Sequence, residues 1–508
     1  MDMNGGSGGF DVKSLIKHSS LQNKVASAEQ AAAWIKDGMT VAMSGYGMAG
    51  YPKAVVAELV RRRTEGEALS IHLVTGANVP ALDEQLGGAG ILARRTPMCA
   101  HPLLARQINT GSVHYVEQQM NKMPRLIRSG RLGPIDVAVI EALGIDEQGN
   151  LIPTTSSGLA HLLIDAATSI IVEINTAQPG QLADLHDVYI PDQSPLVLPV
   201  PLVSVRQRIG RTTIPVDPDK IGAIVVHQAR ERIAPPPAGS PETDRIAQHL
   251  FDCLEIEKRR FFEGRLPPLQ MGFGSLATSI ARSLARSSFQ DLQFFCGSVG
   301  ESILELLVSG QAAAISTAGL EMSDRVDEII RTTPGLSDRL VIRNGDVINH
   351  SETIGRMGLI ALNTGIEIDI YGNVNSSHIS GSRVVNGIGG GANFAQNAGL
   401  SIVLLPSTGK SGAISTIVPM VSHQDICEHD VDIVITEHGL ADLRGLDDTE
   451  RADAIIRHCT AGAYQDQLDD YVQKARTLCG GHHPQLPEEA FAWHRRLAEQ
   501  GSMLETRP

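Results

Sequence analysis

One pattern restricts the fold of this chain more than any other, a block that occurs once in each half of the sequence. Each copy has a Gly-aromatic-Gly turn, beginning at Gly45 and at Gly272, that leads into a helical pattern and then a short apolar strand. A second block, an apolar strand followed by Gly-Asn, repeats at nearly the same spacing, with its glycines at Gly149 and Gly372. Two repeats at similar spacing predict an internal duplication of one α/β unit. Chance similarity of short glycine-rich segments is the alternative.

A proline-rich segment near the middle predicts where the two units meet. Residues 235–241 contain three successive prolines, which forbid both a helix interior and a central strand. We therefore predict two α/β domains, residues 1–233 and 234–508. Hydrophobic residues make up 42% of the chain and aromatic residues only 4%, a mixture typical of parallel strands between helices. The expected fold class is α/β, with two related open halves that face each other across a cleft.

Charge, hydropathy and cysteine usage exclude several classes of protein. The net charge is −14, from 43 Lys and Arg against 57 Asp and Glu, so nucleic acid is not an expected partner. No apolar run approaches the roughly 18 residues of a membrane span, so no membrane is expected either. Six cysteines are scattered without a CxxC pair, which favours a reducing cytoplasm over a disulfide framework.

The densest candidate for a ligand site is residues 371–396, which contain six glycines and four asparagines. Gly387, Gly389, Gly390 and Gly391 lack Cβ atoms, so backbone N–H groups there can approach a ligand closely. A helix start follows directly, and its free N–H groups would add positive potential. A glycine-rich connection with only a structural role is the alternative.

Two phosphate-binding motifs are present only in part. The segment with Gly272 and Gly274 matches GxGxxG/A, but a dinucleotide fold needs a full apolar strand before it, so no nicotinamide cofactor is expected. The GKS sequence around Lys410 resembles the end of a phosphate loop, but Leu404 stands where the first glycine is required. Lys410 therefore suits a single phosphate contact, and a merely solvated lysine is equally compatible with the spacing.

Histidine, cysteine and glutamate residues suggest two other kinds of site. Two sets of side chains are of metal-ligand types, but their spacing matches no known structural site, so no metal is expected: His423, Cys427 and His429, and Cys479 with His482. Glu437 directly follows an apolar strand, where the catalytic carboxylates of such sheets are found. A salt-bridge role for Glu437 is the alternative.

Several ordered segments together carry a resemblance to a known family. These segments are residues 44–54, 272–274, 361–375, 386–390, 406–408, 414–419 and 436–445. They resemble the acetyl-CoA hydrolase/transferase family, and within it the succinyl-CoA:acetate CoA-transferase branch, over nearly the whole chain. That family is similar to class I CoA-transferases, which have two related open α/β halves. The resemblance implies coenzyme A or an acyl-CoA as substrate and a small molecule as acceptor.

The resemblance also implies roles for particular residues. It implies that the backbone N–H groups of Phe273 and Gly390 hold the oxyanion of the thioester, and losing one such donor typically costs about 100-fold to 1000-fold in rate. Asn349 and Glu437 match polar residues that flank the reacting centre, and Lys410 matches a residue near the CoA phosphates. The residues expected to bind CoA are Gly272, Gly274, Gly387, Gly389, Gly391 and Lys410.

One position departs from the family pattern. These CoA-transferases use a glutamate that attacks the acyl-CoA, forming a mixed anhydride and then a glutamyl-CoA thioester, and Gly297 stands at that position here. The nearest reactive side chains in sequence are Cys296, Ser298 and Glu301. A thiolate accepts acyl groups readily, but cysteine is more often a buried structural thiol. Glu301 would need a shifted loop in order to substitute.

Three hypotheses about function follow. The first is an enzyme that moves the acyl group of an acyl-CoA to water or another acceptor, with Glu437 as general base. The second is a CoA-transferase in which Glu301 or Glu437 takes over the attacking role. The third is an acyl-CoA-binding protein without catalysis, which the retained oxyanion donors disfavour. A homodimer is expected, because α/β units of this size commonly pair symmetrically.

Overall fold

Two largely parallel β-sheets with helices packed on them form the centre of the molecule. The computed structural model describes residues 11–190, 199–231, 233, 239–260, 264–272 and 275–505. Numbered in chain order, the strands of the first sheet are β1 (Thr40–Met43), β2 (Ile71–Thr75), β3 (Leu92–Thr96), β4 (His114–Tyr115), β5 (Ile135–Ile145), β6 (Leu151–Pro153), β7 (Ala167–Asn175) and β9 (Ile221–His227).

The second sheet takes its strands from the C-terminal half and one strand from the N-terminal half. Its strands are β8 (His186–Asp187), β10 (Leu269–Met271), β11 (Leu292–Val299), β12 (Ala312–Leu320), β13 (Leu340–Arg343), β14 (Ile360–Thr364), β19 (Leu400–Leu404), β23 (Ile433–Ile435) and β24 (Leu440–Asp442). Three small sheets contain β15 (Glu367–Asp369), β16 (Val374–Asn375), β17 (His378–Ile379), β18 (Arg383–Val384), β20 (Thr408–Gly409), β21 (Ile414–Ser415) and β22 (Ile417–Val418).

Several helices begin at a side chain that caps them. Ser323 accepts a hydrogen bond from the Val326 N–H, and Asp447 and Glu450 form a capping box. The helices are α1 (Val12–Leu15), α2 (Ala28–Ala32), α3 (Ala54–Thr64), α4 (Pro80–Gly88), α5 (Pro102–Asn109), α6 (Met123–Arg128), α7 (Ala160–Ala166), α8 (Pro241–Arg260), α9 (Ser275–Leu284), α10 (Glu301–Val308), α11 (Asp324–Thr332), α12 (Gly345–Ile348), α13 (Ser351–Met357), α14 (Gly391–Asn397), α15 (Asp448–Cys459), α16 (Gly462–Leu478), α17 (Pro487–Ala490) and α18 (Ala492–Gln500).

The order of strands is the same in the two sheets. The first runs β9-β7-β5-β1-β2-β3-β4, and the second contains β23-β19-β14-β10-β11-β12-β13 in the corresponding places. In both sheets, strands that are adjacent in this order are parallel to each other. The shared order confirms the predicted duplication, and the α/β fold class is confirmed with it. The two Gly-aromatic-Gly segments of the sequence come directly after β1 and β10, which occupy equivalent central positions.

A buried cluster joins the two halves. It contains Tyr46, Met98 and Met120 from the first half and Phe295 and Phe394 from the second. Strand β8 lies in the N-terminal part of the chain but pairs with β13 of the second sheet. The two halves therefore share a buried core and a β-sheet.

The segment between the halves is described only in part. The three prolines of the expected linker lie outside the described residues, whereas α8 begins at Pro241. Ser240 caps this helix, since the Thr243 N–H bonds its hydroxyl at 3.3 Å and Ser240 N–H bonds the Thr243 hydroxyl at 2.8 Å. The domain boundary at residues 233 and 234 stays a prediction.

Candidate active site

The turn after β1 carries an aromatic side chain into the second half. Gly45 and Gly47 have φ values of +130° and +63°, a conformation that favours glycine. The Tyr46 and Ala49 backbones exchange two hydrogen bonds, of 2.9 and 3.1 Å, which close the turn tightly. Tyr46 is only 6% exposed and belongs to the cluster that joins the halves.

The Tyr46 hydroxyl occupies the space beside Gly297. A Cβ atom on Gly297 would lie 2.9 Å from the Tyr46 hydroxyl oxygen and 3.3 Å from its Cε1. The ring is enclosed on another side by Gly345, whose Cβ would lie 3.1 Å from Cε2. Because the ring is packed on two sides, a glutamate at position 297 would require Tyr46 to move.

Hydrogen bonding and burial keep the Tyr46 phenol in place and protonated. Asn349 Nδ2 donates to the Tyr46 oxygen at 3.0 Å and to the Gly345 carbonyl at 2.9 Å. Burial raises the pKa of Tyr46 to about 12, and the hydrogen bond from Asn349 only partly opposes this. The phenol is therefore neutral near pH 7 and keeps an O–H group that can donate.

Asn349 connects this tyrosine to the glycine run. A Cβ atom at position 390 would lie 2.5 Å from Asn349 Oδ1, so only glycine fits there. Asn349 is 1% exposed, and its Oδ1 has no hydrogen-bond partner within the described ranges. The structure thus brings Asn349 and Gly390, two of the predicted site residues, together with Tyr46 and Gly297.

The rest of the glycine run lies against the first half. Gly387 donates its N–H to the Cys99 carbonyl at 2.8 Å, and a Cβ on it would meet Met98 at 3.0 Å. The carbonyl of Gly389, which has φ +64°, accepts from the Met120 N–H at 3.2 Å. At the last glycine of the run, Gly391, α14 begins, close to the expected helix start. These glycines allow close contact between the halves, whether or not they also contact a ligand.

Part of the predicted site lies outside the described residues. Phe273 and Gly274, the expected oxyanion donor and its neighbour, are among these. Gly272 is exposed, with open space where its Cβ would be. Roles for these three residues stay predictions.

Glu437 is held firmly at the end of β23. The Ser407 N–H and hydroxyl donate to its two carboxylate oxygens at 2.8 and 2.5 Å, and His438 Nε2 lies 3.5 Å away. In the sheet, β19, β14 and β10 separate β23 from β11, which carries Gly297. At about 4.8 Å per strand, the axes of β23 and β11 are about 19 Å apart.

Two side chains near Gly297 in sequence, those of Cys296 and Glu301, do not suit the role of an attacking nucleophile. Cys296 is 1% exposed, its Sγ lies 3.6 Å from the Leu269 carbonyl, and burial raises its pKa to about 12. A neutral, buried thiol is a poor nucleophile. Glu301, at the start of α10, is exposed and accepts a hydrogen bond from the Ser323 hydroxyl at 2.7 Å. Lys410 is exposed in the turn between β20 and β21.

The structure adds a carboxylate that the sequence analysis passed over. Glu321 directly follows β12, the strand next to β11. Burial raises its pKa to about 7. Its Oε1 and the Ser298 Oγ both lie 3.8 Å from the position of a Cβ on Gly47. The signal in the sequence was the same as for Glu437, an acidic residue at the end of a buried apolar strand.

Comparison with known proteins places this geometry in a family. Models of the N-terminal and C-terminal domains of the acetyl-CoA hydrolase/transferase family match residues 12–226 and 334–472. The chain belongs to this family. Membership confirms the prediction of an acyl-CoA-utilising transferase or hydrolase with CoA thioesters as substrates. Gly297 and Glu321 lie between the two matched ranges.

Similar sequences cover almost the entire chain. A succinyl-CoA:acetate CoA-transferase of Clostridium kluyveri is 38% identical over 96% of this chain and 91% of its own length. A propanoyl-CoA:succinate CoA transferase of Escherichia coli is 35% identical, covering 94% and 98%. An acetyl-CoA hydrolase of Kluyveromyces lactis is 33% identical, covering 97% and 98%.

Solved structures support the fold. RipA from Yersinia pestis has a TM-score of 0.69 at 20% identity, over 92% of this chain and 99% of that chain. The 4-hydroxybutyrate CoA-transferase from Porphyromonas gingivalis has a TM-score of 0.63 at 20% identity, over 90% and 99%. These likenesses confirm a CoA-transferase-like fold for both halves.

Two further observations concern metals and membranes. In the part of the chain that the structure describes, no group of three or more His, Cys, Asp and Glu side chains is placed to hold a metal ion. His423 instead lies 3.2 Å from the Asp425 carboxylate. No helix within the described ranges is both long and apolar enough to cross a membrane.

Proposed function

We propose that this protein transfers the acyl group of an acyl-CoA directly to water, as a thioester hydrolase that forms no glutamyl-enzyme intermediate. The observation that carries the proposal is the contact between the Tyr46 hydroxyl and Gly297. A phenol that stays protonated near pH 7 fills the space that a side chain at Gly297 would enter. We propose that this neutral hydrogen-bond donor stands where the family's attacking carboxylate is expected.

The proposed reaction needs an oxyanion site and an external nucleophile. Water forms a new C–O bond at the thioester carbonyl carbon, and the carbonyl oxygen becomes an oxyanion. The backbone N–H groups of Gly390 and Phe273 are proposed to bind this oxyanion, with the Tyr46 hydroxyl close by. Collapse of the tetrahedral intermediate breaks the C–S bond, and the CoA thiolate leaves as the thiol after protonation. Gly272, Gly274, Gly387, Gly389, Gly391 and Lys410 remain the proposed CoA-binding residues.

A second candidate function is CoA transfer between an acyl-CoA and a carboxylic acid. The relatives from Clostridium kluyveri and Escherichia coli bear the names of such enzymes. This reaction needs a carboxylate nucleophile in place of Gly297. The position of Glu321 supports this candidate, because Glu321 directly follows β12, the strand next to β11.

One experiment separates the two functions. The protein is incubated with acetyl-CoA or succinyl-CoA, alone and with acetate or succinate, and CoA release is followed with a thiol reagent. Intact mass spectra are taken with and without borohydride, which reduces a glutamyl-CoA thioester. We expect CoA release without added acid and no reducible adduct.

Other results would change the assignment. An adduct that borohydride reduces, together with a requirement for an acid acceptor, would establish CoA transfer. Unchanged acyl-CoA under all conditions would contradict both enzymatic readings and leave binding alone. Cys296→Ala serves as a control, and we expect it to release CoA at the wild-type rate because the thiol is buried and neutral.

We further propose that the protein is a cytoplasmic homodimer. Large α/β enzymes commonly pair through a symmetric interface. Light scattering coupled to size-exclusion chromatography would give about twice the 54.3 kDa mass of one chain. A mass of one chain at micromolar concentration would refute the dimer.

A further inference from the structure

Glu321 is a largely buried carboxylate close to Gly297 in the sheet that has no partner among the described residues. No hydrogen bond or ion pair reaches its side chain from the residues the structure describes. Other buried carboxylates are satisfied. For example, Glu173 accepts three backbone N–H bonds, and Asp83 pairs with Arg95 at 2.7 Å. Because burying a carboxylate without compensation is costly, an unpartnered one calls for an explanation.

The position of Glu321 follows from the sheet. Strand β12 pairs with β11 in parallel, with Ser298 opposite Gly319 and Val299 opposite Leu320. Glu321 comes next, and its N–H donates to the Val299 carbonyl at 2.9 Å. Its backbone is therefore fixed at the carboxyl end of the sheet, one strand from Gly297. Ligands of open α/β sheets bind at this edge.

Two other groups face the same small space. The Ser298 hydroxyl is buried and has no hydrogen-bond partner in the described parts of the chain. It lies 3.8 Å from the position of a Cβ on Gly47, and so does Glu321 Oε1. The other carboxylate oxygen lies 3.4 Å from a Cβ position on Gly300. Glycines at these positions leave room beside an unpaired carboxylate and an unpaired hydroxyl.

We infer that Glu321 is the general base of the thioester hydrolysis proposed above, on which this inference rests. Its carboxylate accepts a proton from the attacking water while the oxygen of that water bonds to the carbonyl carbon. The C–S bond then breaks, and the proton held by Glu321 passes to the departing CoA thiolate. Glu321 thus returns to its ionised form at the end of each turnover.

The surroundings of Glu321 suit a base that works near neutral pH. Burial alone raises its pKa to about 7, so about half of the carboxylate is ionised at that pH. The titratable groups on the adjoining segments are Tyr46, next to Gly47, and Glu301, next to Gly300. Tyr46 remains protonated because burial raises its pKa to about 12, and Glu301 is exposed and bonded to Ser323.

The test is the pH dependence of CoA release from acetyl-CoA, measured from pH 5 to 9. Wild-type protein is compared with Glu321→Gln, Glu321→Asp, Glu321→Ala and a matched control, Glu305→Gln. Glu305 lies on α10 and pairs with Arg325 at 2.6 Å in a partly exposed ion pair. Circular dichroism and melting curves establish that each variant is folded.

We expect the wild-type rate to rise with pH through about 7. Glu321→Gln should lose about 100-fold to 10,000-fold in rate and lose this rise, because an amide accepts no proton. Glu321→Asp should keep the rise at a reduced rate, and Glu305→Gln should behave like the wild type. Added formate should restore part of the rate in Glu321→Ala by supplying a carboxylate, which a merely structural role for Glu321 does not predict.

Three results would overturn the inference. A wild-type rate and pH profile in Glu321→Gln would show that hydrolysis uses another base, and the proposed function would survive. A borohydride-reducible adduct that disappears in Glu321→Gln would make Glu321 a nucleophile and the reaction CoA transfer. A folded wild-type protein that releases no CoA would refute the hydrolase itself, and the role of Glu321 with it.

Discussion

At the scale of single residues, Gly297 of the second half is matched by Tyr46 of the first half across the interface between them. Gly297 has no side chain, and the Tyr46 hydroxyl lies where that side chain would begin. Each residue depends on the other, because a Cβ at 297 would clash with the phenol oxygen. The chemistry at this point is thus decided by a pair of residues from different halves.

The contact between Tyr46 and Gly297 predicts which substitutions would give the protein CoA-transferase activity. Gly297→Glu alone should fold poorly or remain inactive in CoA transfer, because its Cβ would lie 2.9 Å from the Tyr46 oxygen. Tyr46→Phe with Gly297→Glu removes that oxygen and leaves a 3.3 Å contact with the ring, which small shifts can relieve. We expect the double variant to form a glutamyl-CoA adduct that borohydride reduces.

The control for this design is Tyr46→Phe alone. It keeps glycine at position 297 and should form no adduct. Equal adduct formation by Tyr46→Phe and the double variant would show that position 297 is not where the acyl-CoA is attacked.

Glu321 also predicts a pH-dependent stability. Its pKa is about 7 in the folded protein, raised by burial from 4.5, so the fold favours the protonated form. The native state therefore binds more protons than the unfolded state between pH 4.5 and 7, and stability falls as pH rises through that window. The loss is at most about 3 kcal/mol above pH 7.

Glu321→Gln removes this titration. Compared with the wild type, the variant should melt at a higher temperature at pH 8 and at about the same temperature at pH 4.5. If the two proteins differed in melting temperature by the same amount at both pH values, the pKa of Glu321 would not be raised in the folded protein.

At the scale of elements, the glycine run and the start of α14 form a close contact rather than an open loop. Gly387 and Gly389 lie against Met98, and Gly390 lies against Asn349. One backbone N–H group of the run bonds to the first half, because Gly387 donates its N–H to the Cys99 carbonyl. The run therefore both joins the halves and shapes the proposed oxyanion site.

Gly390→Ala tests the second of these roles. Its Cβ would lie 2.5 Å from Asn349 Oδ1, so the start of α14 or the asparagine must move. We expect CoA release to fall about 100-fold to 1000-fold, the usual effect of losing one oxyanion donor. The control is Gly355→Ala on α13, whose Cβ would meet its nearest atom, the Asn397 carbonyl oxygen, at 3.6 Å, an ordinary contact. A normal rate in folded Gly390→Ala would remove Gly390 from the oxyanion site.

A buried ion cluster before α3 gives a second prediction at this scale. Lys53 Nζ bonds Glu141 and lies 3.2 Å from Glu231, and both carboxylates are fully buried. Burial by itself lowers the pKa of Lys53, but the two carboxylates raise it above its ordinary value. Burial likewise raises the pKa of Glu231 to about 7, and Lys53 opposes that rise.

Lys53→Met would leave those two carboxylates buried without their cation. We expect a loss of about 3–5 kcal/mol in the free energy of unfolding, measured by chemical denaturation. Adding Glu141→Gln and Glu231→Gln to Lys53→Met should recover much of the loss. If Lys53→Met alone were as stable as the wild type, the cluster would have no role in stability.

At the scale of the whole molecule, the two halves are one structure although they repeat one topology. Strand β8 leaves the first half to pair with β13, and Asp187 of β8 bonds the buried Arg343. Burial lowers the pKa of Arg343 to about 10, and Asp187 opposes that decrease. Removing Asp187 would therefore leave a buried cation unpaired.

The halves should accordingly unfold together. The sequence offers a probe in each half, because its two tryptophans are Trp34 and Trp493. Denaturation of Trp34→Phe and Trp493→Phe, followed by fluorescence, should give coincident transitions. Asp187→Ala should shift both by about 3–5 kcal/mol. Well-separated transitions in the two single-tryptophan proteins would show that the halves are independent.

The sequence by itself determined the features that depend on local patterns and on repetition. The strands at β2, β5, β11 and β14 and the start of α8 follow from apolar runs and a serine cap, which act over a few residues. The duplication also follows from the chain, because each copy repeats the same turns. Membership of the family could be read from the same motifs, and the absence of the family's glutamate at Gly297 stays a prediction from them.

Only the tertiary structure decided which residues meet. Tyr46 and Gly297 are far apart in sequence, and no local pattern places a phenol over that glycine. The tertiary structure also distinguished three carboxylates that look alike in sequence. Glu437 is bonded to Ser407, Glu301 is exposed, and Glu321 is largely buried and has no partner among the described residues. Burial and hydrogen bonding depend on the packing of both halves, so the chemistry proposed here rests on long-range contacts.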